Sequence, residues 1–470
     1  MQVKGRAARR VKVRSTMDVR GERWSGRAGF ILAAVGSAVG LGSIWKFPYE
    51  VGANGGGAFV LFYLLGLALV VLPLMFAEFA LGRRGAADAA TSLGRAAAAH
   101  GASERWSALG VFGIVTGLLI LSFYSVIGGW TVAYVVDTAR AGLPGADPRA
   151  AQARFDALLA SPLVMTGYHA LFLALTAAVV WRGVRGGIEA ACKVLMPLLA
   201  ALMAALAAYG ALEGDLAATL DFLFRFELAE LTPRVALEAL GLGFFSIGVG
   251  LGLMITYAAY AGPEIDLRQA AIVAVAADTA ISFLAGFAVF PLVFANGLDP
   301  ASGAGLVFVT LPLAFAAMPF GGLAAFAFFV LLFVAAFASA ISLLELAVAL
   351  LVRRFGWRRP AATAALAAVC FLGGIATVFS FNLWSDWHPL GALPAFAEAT
   401  AFDLIDHLTS NLMLPLGGFL LAAFAGWVLP ASLLAQELRL GPAWAMRLRW
   451  TLRYVVPAGI AAAALGPLLA

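Results

Sequence analysis

Two glycine-rich runs interrupt otherwise apolar stretches of the chain, GSAVGLGS at residues 36–43 and FFSIGVGLG at residues 244–252. Each glycine costs a helix up to about 1 kcal/mol relative to alanine. Both runs are therefore expected to be unwound, over residues 37–42 and 246–251. Unwinding frees carbonyls, which can ligate a hard cation. It also frees amides, which with the positive end of a half-helix favour a carboxylate. At membrane depth, such backbone is tolerated only around a cavity. Three acids lie in apolar surroundings too: Glu78, Asp278 and Glu345. An unpaired acid at mid-membrane costs at least a few kcal/mol, so Asp278 is expected to face the cavity and a cation. Glu78 reads as a brace on the broken helices. Bland readings compete with these. Gly36-x-x-x-Gly40 also fits a helix-packing motif, and Asp278 could simply bond neighbouring helices. Two glycine breaks five spans apart favour a transport site. The run Gly248, Gly250, Gly252 lacks both the spacing and the preceding strand of a nucleotide loop.

The elements that must position these groups are membrane helices. The chain has 470 residues, 63% hydrophobic and 12% charged, against about 25% charged in a soluble domain. Eleven apolar blocks reach spanning length: 28–50, 57–82, 106–138, 163–182, 189–212, 236–260, 268–297, 322–352, 360–380, 408–434 and 452–470. They do not alternate, so they read as helices, not barrel strands. Nine Lys and Arg residues precede the first block. Counting alternate loops from there collects Arg83, Arg84, Arg95 and Arg105, then Arg182, Arg185 and Lys193, then Arg268. Arg353, Arg354, Arg358 and Arg359 follow, then Arg439, Arg447, Arg449 and Arg453. Together these are most of the 31 basic residues. The positive-inside rule puts that side and the N-terminus in the cytoplasm, in a cell inner (plasma) membrane. Residues 1–24 read as a basic tail and residues 25–470 as one transmembrane domain. The net charge of +5 is accounted for by topology and anionic lipid, with no nucleic-acid partner.

Enzyme chemistry finds little support. His100, His169, His388 and His407 form no HExxH, and no GxSxG is present. Asp278 has no second aspartate deep in a span to partner it as an acid protease would need. The two cysteines, Cys192 and Cys370, are expected to stay reduced.

At the glycine breaks the chain resembles the neurotransmitter:sodium symporter family, in its bacterial amino-acid branch. The strings that carry the likeness are GSAVGLGSIWKFPY from Gly36, NGGGAF from Asn54, PLMFAEFALGR from Pro73, LVFVTLP from Leu306 and NLMLPLGG from Asn411, with shorter matches at Gly187–Glu189 and Leu195–Pro197. The likeness runs from Trp24 to the end of the tenth span. It implies an all-α fold of two inverted five-helix repeats, residues 28–212 and 236–434, with an extra helix at 452–470. It also implies a central substrate site and two sodium sites.

Carried over by the resemblance, the substrate pocket comprises Ser37, Ala38, Leu41, Gly42, Ile120, Tyr124, Phe245, Ser246, Gly248, Leu251, Ser339 and Leu343. Tyr124 would bond the substrate carboxylate and Phe245 would close over it. The first sodium site would use the Ala38 carbonyl, Ser43, Ser246 and Asp278. The family usually has Asn at both 43 and 278. The second would use the carbonyls of Gly36, Val39 and Ala335 with the Ser339 hydroxyl, and Ala338 omits an oxygen the family usually supplies. One or two sodium ions are thus implied. Lys46 and Asp406 stand where the family has an outer Arg–Asp gate. The inner gate's usual pair is replaced by Gly21 and Arg353, so either Arg20 or Arg23 finds another acid or that gate closes differently. Of the groups that would hold chloride, Tyr63, Ser246 and Ser282 are present while Leu242 replaces a Gln. Asp278 supplies a fixed negative charge instead, so no chloride is expected.

The implied function is sodium-coupled symport of an amino acid by alternating access. Gly40 stands where amine carriers of the family usually have Asp, so the substrate should bring its own carboxylate. Gly248 and Leu251 leave room for a large apolar or aromatic side chain. A second reading, prompted by Ala338 and the missing gate pair, is an uncoupled channel or an amino-acid sensor on the same fold.

Overall fold

The computed structural model describes residues 22–143, 145, 147–225, 231–300 and 306–469. The described residues form helices joined by turns, with no strand among them. Eight helices are long and apolar enough to cross a membrane, and a bent pair makes a ninth span. The bent pair is α1 (Arg27–Ala38) and α2 (Gly42–Ala53), which meet at 52°. Then come α3 (Gly57–Gly85), the short α4 (Ala89–Ala99), α5 (Glu104–Ala141), α6 (Pro162–Trp181) and α7 (Val184–Glu213). The next span is divided into α8 (Pro233–Ile247) and α9 (Leu253–Ala258). After it run α10 (Leu267–Ala295), α11 (Gly321–Phe355), α12 (Arg359–Ser380) and α13 (Ala401–Val428). The last helical segment, Val456–Leu469, follows a wider π-turn at Thr451–Val455.

Packing is reciprocal between the two halves. The first half's α3 packs on the broken helix α8, and the second half's α10 packs on the broken helix α1. The long helices α5 and α11 pack along each other at the centre. This is the pairing two inverted five-helix repeats produce.

Both breaks fall where glycine was expected to place them, with different extents. The first is short: only Val39 and Gly40 leave the helix, Val39 with extended backbone at φ −78°, ψ 110°. The expected opening at 37–42 is therefore wider than the observed one, because Leu41 onward re-enters a helix at once. The second runs from Gly248 to Gly252, starting two residues later than expected and ending one later. Gly248, Gly250 and Gly252 adopt φ of 68°, 94° and 77°. Only glycine takes that left-handed backbone without a steric cost of about 1–2 kcal/mol. Ser246 and Ile247 remain helical because they can.

The basic loops counted alternately along the sequence meet on one face. Arg83 joins three of them: Nε is 2.7 Å from Glu437 and Nη1 donates to the Ile265 carbonyl at 2.7 Å. Arg359 donates to the Val180 carbonyl at 3.2 Å. Arg439 donates to the Pro263 carbonyl at 2.8 Å. Cys192 and Cys370 are both free and buried.

Candidate functional site

Eleven of the twelve substrate residues expected from the sequence line one cavity between the breaks, with α5 and α11 as its walls. The exception is Ala38, which is wholly buried in the packing of α1. The cavity also takes Gly40, the position that argued for a substrate with its own carboxylate, and Ile247, Leu253 and Leu414, which sequence reasoning missed. Gly40 lay inside the expected opening, and a side chain there would stand 2.6 Å from Ser339 Oγ and 3.4 Å from Tyr124 Oη. Leu414 comes from α13, whose approach no local signal announces. The polar groups cluster at the first break. The Leu41 amide points at Tyr124 Oη, 3.4 Å away. Ser37 Oγ is buried with no hydrogen-bond partner in the protein. A buried hydroxyl without a partner is costly unless a ligand supplies one. The remaining walls are apolar, with Ile120, Phe245, Leu251 and Leu343 prominent.

This inner cavity measures 50 Å³. It shares Leu41, Tyr124 and Phe245 with an outer vestibule of 200 Å³ that also holds Trp45, Lys46 and Asp406. Phe245 thus stands between the two. A large side chain needs more than the inner volume alone, so its entry requires Phe245 to move.

Next to the cavity, Asp278 on α10 is fully buried. Its Oδ1 accepts hydrogen bonds from Ser43 and from Ser246, the latter at 2.9 Å. The Ser43 and Ser246 hydroxyls are 2.9 Å apart. Its Oδ2 accepts from Tyr63 at 3.2 Å. No Lys or Arg approaches this carboxylate among the described residues. A buried carboxylate with hydroxyl neighbours and no cationic side chain is a hard, oxygen-rich site for a small cation. The three side chains expected at the first sodium site thus converge. Tyr63 also lies 3.4 Å from Ser282, so of the three hydroxyls expected around chloride, Tyr63 and Ser246 bond the Asp278 carboxylate and Ser282 adjoins Tyr63.

At the second sodium position, Ser339 Oγ donates to the Val39 carbonyl at 3.4 Å. Ala335 and Ala338 are wholly buried, and Ala338 brings no oxygen. Gly36 packs closely against α7: a side chain there would meet Met196 and Cys192 at 3.2 and 3.3 Å.

Glu78 has the geometry of the expected brace. Its two oxygens accept from the amides of Gly250 at 2.7 Å and Met254 at 3.0 Å, spanning the second break. Amides freed by the unwinding are satisfied in this way.

The outer pair expected from Lys46 and Asp406 is not formed. Both line the vestibule, but Lys46 Nζ lies 4.0 Å from Glu50 and 4.8 Å from the Phe245 ring. Asp406 instead accepts from Ser410 at 2.8 Å. The physical reason is local: Glu50 sits one helical turn from Lys46 and claims the ammonium, while the open vestibule separates the two expected partners.

The inner side is closed by a set of residues different from the expected ones. Arg20 and Gly21 lie outside the described residues, and Arg23 is exposed. Arg359, at the start of α12, makes a bidentate contact with Glu345, at 2.6 and 3.1 Å. It also reaches Glu22 on the N-terminal segment at 2.6 Å. Tyr260 donates to the same Glu345 at 2.6 Å. Trp24 is buried beside this triad, its indole donating to the Tyr257 carbonyl at 2.9 Å. Arg353 lies over the Tyr260 ring at 4.2 Å. Here the tail contributes the acid and the core supplies the arginine. Arg359 was read only as a topology signal in the sequence, because nothing local tells a gate arginine from an interfacial one.

The arrangement has a vestibule at one end, an ion-paired cluster on the basic face at the other, and two broken helices between them, with a buried acid beside the break. The family model described as "Sodium:neurotransmitter symporter family" matches residues 21–153 and 163–384. The sodium-dependent transporter YhdH of Bacillus subtilis (strain 168) is 36% identical over 447 residues, covering 93% of this chain and 96% of that one. The sodium-dependent transporter MJ1319 of Methanocaldococcus jannaschii is 33% identical, over 90% of this chain and 86% of its own. The crystal structure of MhsT in complex with L-phenylalanine superposes with a TM-score of 0.86 at 40% identity, covering 94% of this chain and 99% of that chain. These relatives are transporters, in line with the absence of enzyme motifs in the sequence. The chain belongs to the sodium:neurotransmitter symporter family.

Proposed function

We propose that the chain is a symporter that carries a large apolar or aromatic amino acid with sodium and without chloride. The observation that carries this reading is Asp278: a fully buried carboxylate, ringed by Ser43, Ser246 and Tyr63, with no cationic side chain to balance it. Sodium is the balancing charge. The unpartnered Ser37 hydroxyl and the Leu41–Tyr124 contact lie at the first break, where a carboxylate from the substrate can be received. A neighbour of 40% identity bound to L-phenylalanine supports an amino acid of that size, and the apolar wall of Ile120, Phe245, Leu251 and Leu343 suits its side chain. The fixed charge of Asp278 does the work an anion would otherwise do, since two anions in that low-dielectric space repel. Ala338 leaves the second sodium position one oxygen short, so coupling rests chiefly on the first.

Transport proceeds by alternating access. In the outward-open form, sodium and substrate enter past Phe245 while the Glu22–Arg359–Glu345 triad holds the inner side shut. Occupancy lets Phe245 close, and release inward requires the triad to part. The basic face lies in the cytoplasm under the positive-inside rule, placing the protein in the plasma (inner) membrane with its N-terminus inside. Uptake of each of the twenty radiolabelled amino acids into proteoliposomes, with and without an inward sodium gradient, tests the reading. Sodium-driven accumulation of phenylalanine-sized substrates is expected. Flux that never exceeds equilibrium overturns coupling, and preference for glycine or alanine overturns the size class.

A further inference from the structure

Below the transport site, on the basic face, a separate cleft opens between α4 and the end of α11. Its volume is 530 Å³, and it is lined by Arg95, Arg353 and Arg354, with Thr91, Ser107 and Glu104 among its other contacts. We propose that this cleft binds a phosphate-bearing anion.

The charges there do not balance. Three guanidinium groups face one carboxylate, and among the described residues none of the three is ion-paired. Arg95 donates only to the Gly85 carbonyl, at 3.1 Å. Arg353 lies over the Tyr260 ring, and its Nε is buried without a hydrogen-bond partner. Arg354 lies 5.9 Å from the Phe355 ring. On the same face, Arg83 is paired with Glu437, and Arg359 with Glu345 and Glu22. Like charges gathered in one cleft repel unless an anion joins them. Guanidinium forks match phosphate oxygens two at a time, and the Thr91 and Ser107 hydroxyls add donors of the kind phosphate accepts. The cleft is far larger than a halide needs. It lies on the face that the basic loops place against the headgroup layer, so the phosphate can belong to an acidic phospholipid or be free. Arg353 also connects the cleft to the inner gate, because the ring it covers belongs to the tyrosine that donates to Glu345.

The test uses the purified full-length protein in detergent and reads its thermal unfolding. One arm titrates inorganic phosphate at constant ionic strength. The other titrates phosphatidylglycerol, with phosphatidylcholine as control, in mixed micelles. Saturable stabilisation by phosphatidylglycerol but not by phosphate supports the site with a lipid headgroup as its source, and stabilisation by phosphate supports it with a free anion. Arg95→Gln and Arg354→Gln should each weaken the apparent affinity about tenfold, the scale of one charged hydrogen-bonding contact. Both variants should keep the parent's stabilisation by sodium, which shows that they are folded. Glu104→Gln removes the opposing charge and should tighten binding about threefold. No saturable stabilisation by either probe, or an affinity unchanged by all three substitutions, overturns the site.

Discussion

Replacing Glu22 by Gln isolates the tail's share of the inner gate. The carboxylate of Glu22 meets Arg359 at 2.6 Å, with side-chain exposures of 32% and 11%. The Arg359–Glu345 pair is left intact by this change, and Glu345 is wholly buried. A charged hydrogen bond is worth about 1.5–3 kcal/mol when shielded. Partial exposure of Glu22 brings that to about 1 kcal/mol. A loss of that size raises the population of the undocked tail about fivefold. Cys192 provides a native reporter. It is 1% exposed and sits on α7 beside Gly36 of the broken first helix. In a Cys370→Ser background, the rate at which a charged thiol reagent modifies Cys192 from the basic face should rise about fivefold in Glu22→Gln. Sodium should slow the reaction by holding the inner side closed. Trp24→Ala, which deletes the buried indole and its bond to Tyr257, serves as the positive control and should speed modification further. If Trp24→Ala accelerates labelling while Glu22→Gln leaves it unchanged, the tail is held by its tryptophan alone and the ion triad is no gate.

Four further outcomes are expected. Asp278→Asn should make uptake chloride-dependent, because Tyr63, Ser246 and Ser282 remain to hold the ion; wild-type uptake should be indifferent to gluconate replacing chloride, and a wild type that stops in gluconate removes Asp278 from its role as built-in counter-charge. Protonated Asp278 is neutral and cannot balance sodium, so wild-type uptake should fall as the medium is acidified while Asp278→Asn, assayed in chloride, stays level across the same range. Phe245→Ala and Tyr124→Phe should weaken substrate binding by about tenfold or more with unfolding temperatures near the parent's; normal binding in both, measured by scintillation proximity, would mean the pocket is misplaced. Gly248→Ser should narrow the range of substrates taken up: its side chain would approach Leu251 at 3.7 Å and the φ of 68° adds strain, costing about 1 kcal/mol, and an unchanged competition profile would count against a large substrate.

The membrane class, most of the spans and the two interruptions were legible because each is a local property: of eleven expected spans, eight or nine among the described residues are long and apolar enough to cross. Apolar length, glycine content and the alternation of basic loops need no partner to be read. The resemblance placed most of the substrate cavity, since the strings around Gly36 and Phe244 carry it residue by residue. Other features depended on neighbours. The second break begins at Gly248, not at residue 246, because the helix persists until three glycines with positive φ release it. Lys46 turned to Glu50 because helical spacing puts a carboxylate closer than Asp406.

The sequence by itself determined that this is a helical membrane protein with the acid Asp278 set inside an apolar span and glycine where two helices must open. Those facts follow from composition, from the cost of charge in lipid and from the backbone freedom of single residues. Only the tertiary structure decided what that acid faces and what closes the inner side. Ser43, Ser246 and Tyr63 reach Asp278 from three other helices, and Glu22 reaches Arg359 across 337 residues of chain. Hydrogen bonds and ion pairs act over about 3 Å, so no separation along the sequence announces them until the helices are packed.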